Sequence, residues 1–204
     1  MKKRLFSIAV LALMLVLAAC GNNDDKNDPE KNVSTEENNV KDQETSGTAS
    51  EGTEKKQVEA TFKNSDNKEI GTAKLAQTNQ GVDIKLDLSD VPKGVHGFHI
   101  HEKGSCEAPD FKSAGDHFNP THKKHGVENP EGPHSGDLPN LNVKEDGKVQ
   151  EEFTASMVTL EKGLDNSLLK EGGTALVIHA DPDDNKSQPA GNAGERIACA
   201  EITE

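Results

Sequence analysis

The side chains most able to do chemistry in this 204-residue chain are its eight histidines, all between positions 96 and 179. In Phe98-His99-Ile100-His101, alternate residues share a face if the segment is a strand. Phe98 and Ile100 then face a core, and His99 and His101 face away from it together. Two imidazoles at i and i+2 can chelate one ion, although a solvated strand face would read the same way. From His117 the chain offers His125, His134 and Asp137 at offsets of 8, 17 and 20 residues. Three imidazoles and one carboxylate form a closed tetrahedral donor set of the kind zinc takes. Gly126, Gly132 and Gly136 supply tight turns for a loop that folds back around an ion. His179 follows the apolar run Ala175-Leu176-Val177-Ile178, and the acidic turn after it, with Asp181, Asp183 and Asp184, offers acceptors for ligand imidazoles.

These groups need a scaffold, and the sequence around them reads as β structure. Val58, Ala60 and Phe62 alternate with polar residues; Val82, Ile84, Leu86 and Leu88 alternate with Asp83, Lys85 and Asp87. That is period two, with one face buried and one wet. Further strands are expected over residues 69–76, 95–101, 141–144, 148–155, 174–180 and 196–202. The expected fold class is all-β: an antiparallel, eight-stranded Greek-key sandwich or flattened barrel with long metal-binding loops. Between His101 and Asn140 runs a long loop rich in Gly, Pro, His and Asp, of a length that is usually functional.

Net charge is −13, and Trp and Tyr are absent. So acidic a chain is a poor candidate for nucleic-acid binding, which needs a basic patch against phosphate. Lys2, Lys3 and Arg4 precede an almost unbroken apolar run from Leu5 to Leu17, too short to span a membrane comfortably. The run ends in Leu17-Ala18-Ala19-Cys20-Gly21, which resembles a bacterial lipobox. Residues 1–19 are then a removed lipoprotein signal peptide, and Cys20 carries a lipid anchor such as palmitate. The other reading is an ordinary secretory signal with a Cys near its end. Both take the chain out of the cytoplasm. Residues 20–56 then hold the lipidated Cys and an acidic tether, with ten acids against five lysines and almost nothing apolar. Such a segment is expected to be disordered and to supply reach. The folded domain is expected over residues 57–204. If Cys20 is lipidated, Cys106 and Cys199 remain as a pair, disulfide-bonded in an oxidising compartment or left as free thiols.

Five segments, in order, resemble the copper–zinc superoxide dismutase family, in its bacterial lipoprotein form. They are Gly97-Phe98-His99-Ile100-His101-Glu102, Ser113-Ala114-Gly115-Asp116-His117-Phe118-Asn119-Pro120, Lys124-His125-Gly126, His134-Ser135-Gly136-Asp137-Leu138, and Gly191-Asn192-Ala193-Gly194-Glu195-Arg196-Ile197-Ala198-Cys199. The resemblance runs from about Val58 to Ile202. It implies disproportionation of superoxide, with copper on His99, His101, His117 and His179, and zinc on His117, His125, His134 and Asp137. His117 would bridge the metals and, in the family's mechanism, carry a proton during turnover. It further implies a Cys106–Cys199 disulfide, Arg196 beside the copper to dock the anion, and Asp183 linking a copper-ligand His to a zinc-ligand His. His96 is expected to be structural and His122 a surface residue.

The chain departs from the animal enzymes in two places. The stretch Glu107-Ala108-Pro109-Asp110-Phe111 is an insertion of bacterial type, and the segment 183–192 is short. Steering residues other than Arg196 therefore do not carry over. Lys186, Lys103, Lys123 and Lys124 are candidates, each also readable as a plain solvated charge. Two other functions fit parts of the pattern: a surface copper- or zinc-binding lipoprotein with weak catalysis, and a purely adhesive sandwich. Monomer or homodimer, and the donor of the copper, are left open by the sequence.

Overall fold

The computed structural model describes residues 56–204. The signal segment, Cys20 and the tether up to residue 55 lie outside the described residues. The alternating segments near the start form a meander of β1 (Gln57–Asn64), β2 (Glu69–Thr78) and β3 (Gly81–Leu88). Their inward residues, among them Phe62, Leu75, Ile84 and Leu86, are essentially inaccessible to solvent. β2 and β3 pair without a break from Gly71↔Leu88 to Thr78↔Gly81.

Six further strands follow: β4 (Gly94–His96), β5 (Phe98–His101), β6 (Leu141–Val143), β7 (Glu152–Ala155), β8 (Thr174–His179) and β9 (Arg196–Ile202). Seven strands make one curled sheet in the order β5-β8-β9-β1-β2-β3-β7, and β4 pairs with β6. Every pairing between strands is antiparallel. The main core draws on Phe62, Phe98, Ile100, Leu141, Val143, Leu176 and Ile178. Phe98 meets Phe153 edge-on at 5.7 Å between ring centroids, a favoured aromatic geometry.

The expected all-β antiparallel class holds, with nine strands among the described residues rather than eight. The expected strand over 95–101 divides at Gly97 between two sheets. There Gly97 N–H donates to the Asp181 carbonyl and the Gly97 carbonyl accepts from His179 N–H. A Cβ on Gly97 would lie 2.7 Å from that of Ala193, so the crossing point admits no side chain. The expected strand over 148–155 shortens to β7, preceded by an isolated Leu88↔Val149 bridge.

β8 is buried on both faces, which explains its unbroken apolar run. Leu176 and Ile178 enter the main core. Ala175 and Val177 enter a second cluster with Phe111, Ala114 and Cys199, against which Cys106 packs. A disulfide joins Cys106 to Cys199 across 93 residues, with their Cα atoms 5.7 Å apart.

Candidate metal centre

β5 carries His99 and His101, and the long loop after it is laced onto the outer edge of this strand. Ile100 N–H donates to the Gly136 carbonyl, Phe118 N–H to the Ile100 carbonyl, and Glu102 N–H to the Asp116 carbonyl. These bonds set His101 opposite His117 and His99 opposite Asp137. β8 delivers His179 at its last position, paired with Arg196, the first residue of β9, just past a register shift between Ile178 and His179. The loop between them carries Asp183. His99 and His101 are fully buried. The face away from the main core is thus covered by the loop instead of being solvated.

Each ring is fixed through one nitrogen and leaves the other for a shared centre. His99 Nε2 is 2.8 Å from Asp183 Oδ2, and its Nδ1 is buried without a hydrogen-bond partner. His101 Nδ1 donates to the Gly115 carbonyl at 2.9 Å, and His179 Nδ1 lies 3.3 Å from the Gly194 carbonyl. Their Nε2 atoms stand 3.4 Å apart. His117 Nε2 is likewise buried and unpartnered. His99, His101, His117 and His179 form one group whose donor atoms all lie within 4.8 Å of one another.

His117, His125, His134 and Asp137 form the second group. Asp137 Oδ1 lies 3.0 Å from His117 Nδ1, 3.0 Å from His125 Nδ1 and 3.3 Å from His134 Nδ1. Donors 2.0–2.1 Å from a tetrahedral ion stand about 3.3 Å apart, so the set fits zinc. Asp137 Oδ2 is held by Gly126 N–H and His134 N–H, which aims the carboxylate. His117 belongs to both groups, with one nitrogen in each. A third cluster, His99, His125 and Asp183, is a bridge between them: Asp183 Oδ1 and Oδ2 each take one Nε2.

Burial governs the protonation of these rings. Desolvation lowers His117 to about 4 and His179 to about 3, and neighbouring imidazoles add to the shift. Desolvation also holds His101 well below the ordinary histidine range. Their free nitrogens therefore keep their lone pairs at neutral pH. For His125 desolvation acts in the same sense, but Asp137 and Asp183 together outweigh it and raise the ring to about 9. Burial would raise Asp137, yet hydrogen bonds from His117, His125 and His134 hold it far below the usual carboxylate range.

The centre opens to a cleft of about 750 Å³ lined by His101, His117, His179 and Arg196. Arg196 donates to the Phe111 and Gly115 carbonyls, both at 2.7 Å. Desolvation lowers its pKa, with Asp116 and Asp110 opposing the shift. Lys170, which sequence reasoning passed over, also lines the cleft. Its Nζ lies 5.8 Å from the Phe118 ring centroid. Lys186, Lys103 and Lys124 instead meet Glu128, Glu102 and Glu131. Asn140 and Gln188, also missed, bond to the backbone of Asp183 and His125. No sequence pattern marks a side-chain amide for such a partner. His96 is buried between the His179 and Pro92 carbonyls, a structural place. His122 is exposed.

The family model for copper/zinc superoxide dismutase (SODC) matches residues 69–202. The chain belongs to the copper/zinc superoxide dismutase family. It is 58% identical over 140 residues to superoxide dismutase [Cu-Zn] 1 of Aquifex aeolicus, covering 68% of this chain and 83% of that one. It is 44% identical over 141 residues to a superoxide dismutase-like protein of Bacillus subtilis, covering 68% of this chain and 72% of that one. Among solved structures, the Cu/Zn superoxide dismutase from Brucella abortus aligns with a TM-score of 0.59 at 28% identity, over 72% of this chain and 99% of that one. The family uses copper and zinc, and the chain is an oxidoreductase of the superoxide dismutase type.

Proposed function

We propose that the chain disproportionates superoxide outside the cytoplasm, at a copper–zinc pair bridged by His117, while anchored by a lipid on Cys20. The observation that carries this reading is the split role of His117. Its Nε2 is buried and unpartnered among the first group, and its Nδ1 belongs to the second. Copper would be held by His99, His101, His117 and His179, and zinc by His117, His125, His134 and Asp137. Bound copper supplies a centre that accepts and returns one electron, and zinc a charge that does no redox chemistry.

Two superoxide anions and two protons give dioxygen and hydrogen peroxide. The protein must attract an anion, hold it and deliver a proton. Two Arg196 N–H groups are committed to carbonyls, which leaves further donors of its five-donor fork on a side chain that lines the cleft. It docks the anion as a fixed positive charge. His117 Nε2 is the atom at which a proton is held for the peroxide product. Asp183 fixes the far nitrogens of His99 and His125, so both rings keep their aim.

The disulfide supports an oxidising compartment. The basic-apolar leader and its terminal Cys20 support the lipid anchor, residues 20–56 serve as tether, and residues 57–204 are the catalytic domain. The test is metal content and dismutation of the mature chain loaded with copper and zinc, beside His179→Ala. One copper and one zinc per chain, with fast activity lost in the variant, is the expected result. Bound metal with activity no higher than free copper would leave a metal-binding lipoprotein instead. Cys20→Ala is expected to move the protein from the membrane fraction to the medium.

A further inference from the structure

Two side-chain amides grip the backbone on either side of the Asp183–His125 contact. Asn140 Nδ2 donates to the Asp183 carbonyl and Asn140 Oδ1 accepts from Asp183 N–H, both at 2.9 Å. Gln188 Nε2 donates to the His125 carbonyl at 2.9 Å and Gln188 Oε1 accepts from His125 N–H at 3.0 Å. Each amide thus satisfies both backbone groups of one residue. The two grips are reciprocal. Asn140 follows the metal loop and holds Asp183 in the loop after β8; Gln188 lies in that later loop and holds His125 in the metal loop.

We infer that Asn140 and Gln188 are positioning residues that lock the two loops together, so that the Asp183 bridge between His99 and His125 stands before any metal arrives. The inference rests on the zinc site proposed above. Asp183 Oδ1 reaches His125 Nε2 at 3.0 Å, and Asn185 N–H donates to the same oxygen at 2.7 Å. Little slack remains around it. A Cβ on Gly191 would lie 1.8 Å from Asp183 Oδ1 and 2.7 Å from His125 Nε2. Gly191 N–H donates to the Ser187 carbonyl, and the Gly191 carbonyl accepts from Asp184 N–H. The loop therefore closes directly over the contact. Both amide orientations follow from chemistry, because only the oxygen can accept from N–H and only the nitrogen can donate to a carbonyl.

The consequence is slow loss of zinc. Partners that orient metal ligands commonly contribute about 10–100-fold to metal affinity. Asn140 is half-buried and Gln188 exposed, so water replaces the Gln188 bonds more readily. Asn140 therefore contributes more.

The experiment measures zinc release to a chromogenic chelator from the full mature protein. The variants are Asn140→Ala, Asn140→Asp, Gln188→Ala and Gln188→Glu, with the pair Asn140→Ala/Gln188→Ala. The size-conserving variants keep the volume and the acceptor but put a carboxylate oxygen in place of the donor, and so guard against a failure to fold through lost packing. Gln77→Ala is the control. Gln77 also bonds to backbone, at Thr78, Gly81 and Leu160, away from the metal groups. Release is expected to rise about tenfold or more in the Asn140 variants and a few-fold in the Gln188 variants. It should stay unchanged in Gln77→Ala even as thermal stability falls. The pair is expected to fall short of the product of its singles, since both grips serve one contact. Amide exchange in the metal-free protein gives a second readout, with faster exchange expected at residues 183–191. If neither the Asn140 nor the Gln188 variants change zinc release or loop exchange, the inference is overturned. If the unaltered protein holds no zinc, the proposed metal site fails, and loop exchange alone still decides the clamps.

Discussion

Burial pushes His117, His179 and His125 in the same direction, but two carboxylates reverse the outcome at His125, and the metal-free protein should register both shifts. His117 and His179 are lowered from 6.5 to about 4 and about 3, first by desolvation. Between pH 6.5 and about 4 the unfolded chain binds protons on these rings and the folded chain does not, so stability falls as pH drops through that window. His125 is raised to about 9. Its contribution is fully present below pH 6.5 and is lost as pH rises through about 9. Thermal melts of the metal-free protein from pH 4 to 9 should show maximal stability near pH 6.5, with a decline on each side. A flat profile would mean that the rings are wetter than their burial indicates. Arg196 belongs to the same scale. A hydrogen bond from a charged donor contributes about 1.5–3 kcal/mol. Arg196→Ala should therefore lower kcat/KM about 10–100-fold with metal content unchanged, as steady-state kinetics beside metal analysis would show.

At the scale of elements, the insertion after Cys106 acts through Phe111. This ring is fully buried in the second cluster, and its backbone takes a left-handed φ of 52° that non-glycine residues rarely adopt. Its carbonyl accepts from Arg196. Phe111→Ala should cost about 3–5 kcal/mol in denaturant unfolding, the usual range for a buried Phe. It should also weaken anion inhibition by loosening Arg196. Replacing Cys106 and Cys199 with Ser should cost a similar about 4–5 kcal/mol by the loop-entropy argument. Sequence reading went furthest where side chains alternate. Val82, Ile84, Leu86 and Leu88 announced β3 almost residue for residue, and the spacing from His117 to Asp137 announced one donor group; the other, with His179, followed only from the family resemblance. It failed at Gly97, because a strand crossing between sheets keeps the same alternation on both sides. It failed over residues 148–151, where an isolated bridge at Val149 replaces ladder pairing. It missed Asn140, Gln188 and Lys170 because their roles depend on partners 30 or more residues away in the chain.

Over the whole molecule the dominant quantity is charge. A chain at −13 repels its anionic substrate, and Glu102, Asp116 and Asp165 line the same cleft. Arg196 and Lys170 are the arginine and the lysine that line it. Lys170 enters no ion pair among the described residues, whereas Lys186, Lys103 and Lys124 each face a glutamate. Lys170→Glu should lower kcat/KM about three- to tenfold at low salt and flatten its ionic-strength dependence, as focusing of an anion predicts. Equal rates for both proteins at every salt concentration would remove Lys170 from the approach path. The lacing of residues 116–118 and 136 along β5 matters beyond coordination. β5 is the terminal strand of the seven-stranded sheet, and an uncovered terminal strand is a template for pairing with other chains. The segments that bear His117 and Asp137 occupy that position. The loop that bears His117 and Asp137 is thus also a guard against self-association, and any change that loosens it would threaten solubility as well as the site.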